Sequence, residues 1–256
     1  MALANSARPI EGAVATLGVS DRVAFLRKTY AHLGVALIAF AAITAGMMRF
    51  ATETSLKFSL WAFKGQWNWL AVLGLFMVVG WVAEKLARSN TSSVLQYLGL
   101  GIAVIAEAVL LQPMLWIVII KFGNPELFFN GQEGGLGSGG KIILEAAVIT
   151  IAIFGGLTAT VFVTKKDFSF MRGVLMLCTF GALGVILASM AFGFHLGAVF
   201  SGLMILLMAG YVLYQTSLVM SYFPPTGYVA AALMLFSTIA TLFWYVLRLM
   251  MELNRR

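Results

Sequence analysis

The chain has 256 residues, 61% of them hydrophobic and 11% charged, with a formal charge of +7 at pH 7. So little polar surface cannot solvate a globule of this size, which excludes a soluble domain and points to an integral membrane protein. The 17 Lys and Arg residues are scattered over loops and helix ends with no stripe that would follow a phosphate backbone, so the charge reads as membrane topology and no nucleic-acid partner is expected.

Residues 1–29 read as a mobile basic N-terminal tail, rich in Ala, Gly and Ser as far as Asp21, with Arg22, Arg27 and Lys28 ahead of the first apolar run. The stretch is too long and polar for the start of a cleavable signal. Residues 30–251 read as one transmembrane domain, with spans over 30–48, 67–83, 94–120, 142–163, 173–192, 196–220 and 228–251, and 252–256 as a basic C-terminal tail. In the connection after the first span, Trp61, Trp67 and Trp69 stand where an interfacial aromatic belt would lie. Pro113 interrupts the third span. The longest connection, 122–140, contains GQEGGLGSGG and reads as a flexible external loop. Residues 135–141 spell G-x-x-x-x-G-K, but Ile142 follows where a phosphate loop needs Ser or Thr, and the next helix is a membrane span, so the motif reads as linker.

The run 142–163 has Glu145 as its only ionisable group and is long enough to cross a hydrocarbon core of about 30 Å. Lys165, Lys166 and Asp167 end it, and with Arg172 they make a short cationic turn of the kind that stays cytoplasmic. Basic residues before the first span place the N-terminus on the same side. Pro224 and Pro225 stop the sixth span. Seven full crossings divide the basic residues almost evenly between the two sides. A re-entrant last run would move Arg248, Arg255 and Arg256 inside, so the side of the C-terminus is left open.

Ionisable groups within the spans are the informative ones, because each is costly in hydrocarbon unless paired or hydrated. Glu107 stands at the midpoint of the third span with no cation within a helical turn, and is the first candidate for an intramembrane proton or cation site. Glu145, one turn into the fourth span, is the second. Gln96, Gln112 and Gln215 read as interhelical hydrogen-bonding groups. Ser237, Thr241, Tyr245 and Arg248 recur on one face of the last helix as a polar stripe, and Tyr211 and Gln215 form a similar pair on the sixth, so the last two helices are expected to face each other with these polar sides.

His32 and His195 at span ends have no partners at metal spacing, the lone Cys178 excludes an intrachain disulfide, and neither a metal site nor a cofactor is expected. Hydrolase motifs are absent. The only aspartates, Asp21 and Asp167, lie outside spans, which argues against an aspartyl intramembrane protease and against an enzyme in general.

FLRKTYAHLGVAL at 25–37, ILEAAVIT at 143–150, TKKDFSF at 164–170, LYQT at 213–216 and LFSTIATLFWYVLRL at 235–249 resemble the Bax inhibitor-1, or transmembrane Bax-inhibitor-motif, family in its bacterial branch. The resemblance implies an all-α polytopic membrane protein, a seven-helix bundle with a central last helix, and its bacterial branch implies a bacterial cytoplasmic membrane as the location. For some members it implies a pH-sensitive leak in which calcium is the permeant ion. For others it implies a non-conducting partner that modulates a membrane protease or another membrane complex. In leak-type members an aspartate follows the tyrosine of the sixth helix and a second lies in the seventh. The matching residues here are Gln215 and Ser237, which do not titrate, so Gln215 and Ser237 join Glu107 and Glu145 as candidate site residues of an altered gate. The basic partner of the sixth-helix aspartate has no secure counterpart near residues 83–85.

Overall fold

Inside hydrocarbon a chain has no water to satisfy its amides, so each long apolar run closes its hydrogen bonds internally and is helical. The structure, a computed structural model, describes residues 13–16, 18–89, 92–130 and 134–254. The helices are α1 (Val19–Phe50), α2 (Thr52–Phe63), α3 (Gln66–Ala87), α4 (Ser93–Phe122), α5 (Pro125–Phe129), α6 (Gly137–Thr164), α7 (Arg172–Phe192), α8 (Ala198–Ser221) and α9 (Tyr228–Leu253), with 3-10 turns at Val14–Thr16 and Ser169–Met171. Among the described residues, seven helices are long and apolar enough to cross a membrane: α1, α3, α4, α6, α7, α8 and α9. The chain is an all-α polytopic membrane protein.

The last helix is the axis. α9 packs against α1, α4, α6 and α8. Its N-terminal half, including Val229, Ala231, Leu235 and Phe236, belongs to one buried cluster with Phe25, Leu33, Val212 and Val219. The C-terminal half, with Leu242, Val246 and Leu247, belongs to a second with Leu111, Trp116, Ile142 and Met208. Consecutive alanines at 230, 231 and 232 leave little bulk around most of this turn, which lets neighbouring helices approach from several directions. At the other extreme α7 buries only Leu175, which fits over Gly210 of α8.

The helix ends have local causes. Lys165 takes the left-handed conformation that closes α6, and Gly193 does the same for α7. Two small-residue contacts set helix spacing. A Cβ on Gly99 of α4 would lie 2.5 Å from the Ala83 carbonyl oxygen and 2.6 Å from the Ala87 nitrogen, so α3 and α4 cross backbone to backbone. Gly139 likewise admits Val118.

Several boundaries differ from the sequence reading. The described part of the expected mobile tail is docked: Val14 is wholly buried and its N–H donates to the Phe223 carbonyl at 2.9 Å. Helix α1 starts at Val19, so Arg22, Arg27 and Lys28 are helical. Residues 1–12, 17, 255 and 256 lie outside the described set.

The connection expected between the first two spans contains α2, held by a relay in which Trp116 Nε1 donates to Ser55 Oγ (2.8 Å) and Ser55 Oγ donates to Gln112 Oε1 (2.8 Å). The glycine-rich connection is not free chain where it is described. It carries α5, packs Gly135 backbone against Phe128, bonds Asn124 N–H to the Gly135 carbonyl, and starts α6 at Gly137, five residues before the expected span. Missing side chains are what allow that close packing. Trp67 and Trp61 face outward as a belt would, whereas Trp69 turns in and stacks on Trp244. α9 is one continuous helix of 26 residues, long enough for a full crossing.

The α3–α4 crossing gives a test. Gly99→Ala is expected to destabilise the protein by about 1–3 kcal/mol by overpacking, whereas Gly101→Ala, which meets nothing within 4 Å, is expected to be neutral or stabilising. Thermal unfolding in mild detergent measures both.

Candidate functional site

A cavity of about 520 Å3 opens between α3, α4, α7, α8 and α9. α4 brings Glu107 to it from the middle of its length. The side chain is 8% exposed and, among the described residues, receives no hydrogen bond or ion pair. α8 contributes Tyr211 and Gln215, and α9 contributes Ser237, Thr238 and Thr241. The amide of Gln215 is pinned by Thr238 Oγ1, which donates to Oε1 at 2.7 Å. Thr241 turns its hydroxyl back to the Ser237 carbonyl at 2.8 Å, and Tyr211 shares a 2.8 Å hydrogen bond with Thr179 of α7. Toward the end of α3 stand Glu84 and Arg88, paired through Nη2 at 2.8 Å and Nε at 3.0 Å, each about half exposed.

The predicted residues therefore divide. Glu107, Gln215, Ser237 and Thr241 meet around one cavity. Tyr245 and Arg248 continue the same face of α9 beyond it, where the Tyr245 ring lies edge-on to Phe200 and Arg248 donates to the Leu196 carbonyl. Glu145 stands elsewhere, partly exposed on α6 with Lys141 at 3.7 Å, and α6 forms no wall of the cavity. The expected polar contact between the last two helices exists, but through Gln215 and Thr238; Tyr211 reaches α7 instead. Lys165 and Lys166 are exposed, while Asp167 locks its turn to the end of α8: Oδ1 accepts from Ser169 N–H at 2.8 Å and Oδ2 from the Tyr222 hydroxyl at 3.0 Å. His32 ties α1 to α4 through Tyr97 and packs on Tyr228. Among the described residues no three His, Cys, Asp or Glu side chains gather as a metal site.

Sequence reasoning missed Thr238, Thr179, Glu84 and Arg88 as wall residues. Thr238 adjoins Ser237, and which of two successive hydroxyls faces Gln215 depends on the rotation of α9. Arg88 lies one turn beyond the 83–85 stretch in which a basic partner was sought, and it lines the same cavity as Gln215. Helical spacing from Glu84 was the available signal.

A family model described as Inhibitor of apoptosis-promoting Bax1 matches residues 22–256. The chain belongs to this Bax inhibitor family. An uncharacterized protein of Pseudomonas aeruginosa is 34% identical over 122 residues, covering 45% of this chain and 52% of that protein. Protein lifeguard 4 of Mus musculus is 31% identical over 120 residues, or 45% and 49% of the two chains. Bax inhibitor 1 of Schizosaccharomyces pombe is 27% identical over 242 residues, or 93% and 79%. The chain thus spans about half the length of the first two of these relatives. No solved structure matches it.

The Asp167 lock has a defined pH range. Burial raises the Tyr222 phenol above its ordinary value, a hydrogen bond with Ser169 opposes this, and the Asp167 carboxylate pushes it up further. The fold thus favours the neutral phenol, so this stabilisation is whole below the phenol's ordinary pKa of about 10 and is lost as pH rises through the raised value. Tyr222→Phe is expected to cost about 1 kcal/mol. Its difference in melting temperature from the natural protein should be constant across the neutral range and shrink in strong alkali.

Proposed function

We propose that this Bax inhibitor family member passes or regulates cations across the membrane, with calcium as a permeant ion, through an altered gate centred on Glu107. The observation that carries the reading is a buried carboxyl without a protein partner, opening into a cavity whose other walls supply an amide and hydroxyls. In low dielectric an unpaired carboxyl needs a proton, a cation or water, and a cavity at its side gives each a place. Gln215, Ser237, Thr238 and Thr241 offer oxygen ligands of the kind a hard cation accepts but carry no charge. Proton-dependent control therefore falls to Glu107, with Glu84 and Arg88 at the outer end. Glu145 has no share in it.

In this reading the end of the bundle bearing Arg22, Arg27, Lys28, Lys85, Arg88, Lys165 and Lys166 faces the cytoplasm of a bacterium, in line with the positive-inside bias. The cavity mouth at Arg88 then opens inward.

A second reading has its own support. α7 is almost unburied, with Leu177, Cys178 and Phe180 facing outward. A span so lightly packed leaves a face for another membrane protein, such as a membrane protease modulated through α7 and the adjoining 165–167 turn.

Calcium entry into dye-loaded liposomes carrying the purified protein, at about pH 6 and about pH 8, decides between them. The natural protein is expected to exceed empty liposomes. Glu107→Gln should lower flux about tenfold, the effect of roughly 1.4 kcal/mol of lost stabilisation, and flatten the pH dependence, while Glu145→Gln should change neither. Unchanged flux in Glu107→Gln would falsify the site. No flux from the natural protein, with a partner co-purifying from native membranes, would establish the second reading.

A further inference from the structure

The opposite end of the bundle has a cavity of about 610 Å3 that the Glu107 reading does not use. Its polar wall carries Arg49, at the end of α1, and Lys141, in the first turns of α6. Gly137 and Gly140 line it too, so the start of α6 comes to its wall with no bulky side chain, no acidic residue and no side-chain cap in the first turn. Two cations and the positive end of a helix dipole make this a place for an anion. Lys141 also stands 3.7 Å from Glu145, an exposed pair too weak to hold the ammonium there.

The cavity does not end at its polar wall. Met48 also lines a second, almost wholly apolar groove of about 390 Å3. α1 and α6 each pack on α4 and α9 and leave this furrow between them, with Leu37 and Ala41 on one side, Ala147 and Ile151 on the other, and Leu111 and Phe243 beneath. From Leu37 to Met48 it follows α1 for about 17 Å at helical rise, which suits an acyl chain and is too long for a headgroup alone. Thr44 lines the groove, is 7% exposed, and its hydroxyl has no hydrogen-bond partner among the described residues. Arg49 and Lys141 lie at span ends, the depth at which headgroup phosphates occur.

The geometry points to a binding site for one anionic phospholipid: its headgroup phosphate between Arg49 and Lys141 at the start of α6, and one acyl chain running past Met48 into the α1/α6 groove. α9 lies between this groove and the Glu107 cavity, contributing Ile239 and Phe243 to one and Thr238 and Thr241 to the other. The site stands independently of the ion reading.

The test uses the full chain in bilayer discs holding equal amounts of phosphatidylglycerol and phosphatidylcholine, with lipid retained after transfer to mild detergent counted by native mass spectrometry. Roughly one phosphatidylglycerol per chain is expected to stay, in preference to phosphatidylcholine. Arg49→Gln/Lys141→Gln should lower its retention about tenfold with an unchanged melting temperature, since both side chains are exposed. Ala147→Trp, which fills the groove, should lower retention of both lipids, and excess inorganic phosphate should displace neither. Equal retention of the two lipids, or undiminished retention in the double charge variant, overturns the proposal. So does displacement by phosphate, which would mark a soluble-anion site, or a lipid-free homodimer blocked by Ala147→Trp, which would mark the groove as a helix-docking face.

Discussion

A helix surrounded on all sides by other helices in a membrane must be small enough to be approached and must satisfy every polar group it brings. α9 is under that constraint along its whole length. The alanines at 230–232 meet the first demand, and leucine, isoleucine and phenylalanine further along fill the two buried clusters around it. Hydrophobic attraction between helices is absent in lipid, so close packing and interhelical hydrogen bonds carry the assembly. Gly99 against Ala83 and Ala87 supplies the first of these away from the axis, and the Trp116, Ser55, Gln112 relay supplies the second.

Buried polar groups in this chain therefore fall into two kinds. Gln112 spends its oxygen on Ser55 and its amide nitrogen on the Thr44 and Ala108 carbonyls, and such a group fixes structure. Gln215 is likewise held by Thr238. Glu107 differs: it is as buried as these, it carries the most polar side chain of the three, and no protein group answers it among the described residues. The cavity beside it leaves room for water or an ion to stand in for the missing partner. Thr44 is a milder case of the same imbalance at the other end of the bundle, beside an apolar furrow in place of a polar cavity.

The all-helical class, the number of long apolar helices and the isolation of the Glu107 carboxyl within one of them were readable because hydrocarbon imposes length and forbids stray charge. Two turns were also readable in kind: 165–172 as a tight cationic link, and the Pro224 and Pro225 break before α9. What was not readable depends on rotation and approach distance. A stripe of Ser237, Thr241, Tyr245 and Arg248 states which residues share a face, but the cavity claims only the first two. Thr238, outside the strict stripe, reaches Gln215 because of the rotation of α9, which the spacing does not encode. Glycine-rich chain between α4 and α6 reads as flexible by composition, yet glycine is also what two backbones need to touch, as Gly135 and Phe128 do. Glu145 reads from sequence as an intramembrane group, but it lies near the start of α6 beside Lys141 and away from the Glu107 cavity.

The central claim is that the polar face of α9 lines a hydrated cavity governed by the Glu107 carboxylate. It is tested most directly by placing a thiol there: Ser237→Cys in a Cys178→Ser background, exposed in sealed liposomes to small cationic and anionic thiol reagents. The account predicts labelling by both, faster for the cation, with that preference lost when Glu107→Gln is added. No labelling by either reagent, or a preference indifferent to Glu107, would contradict it.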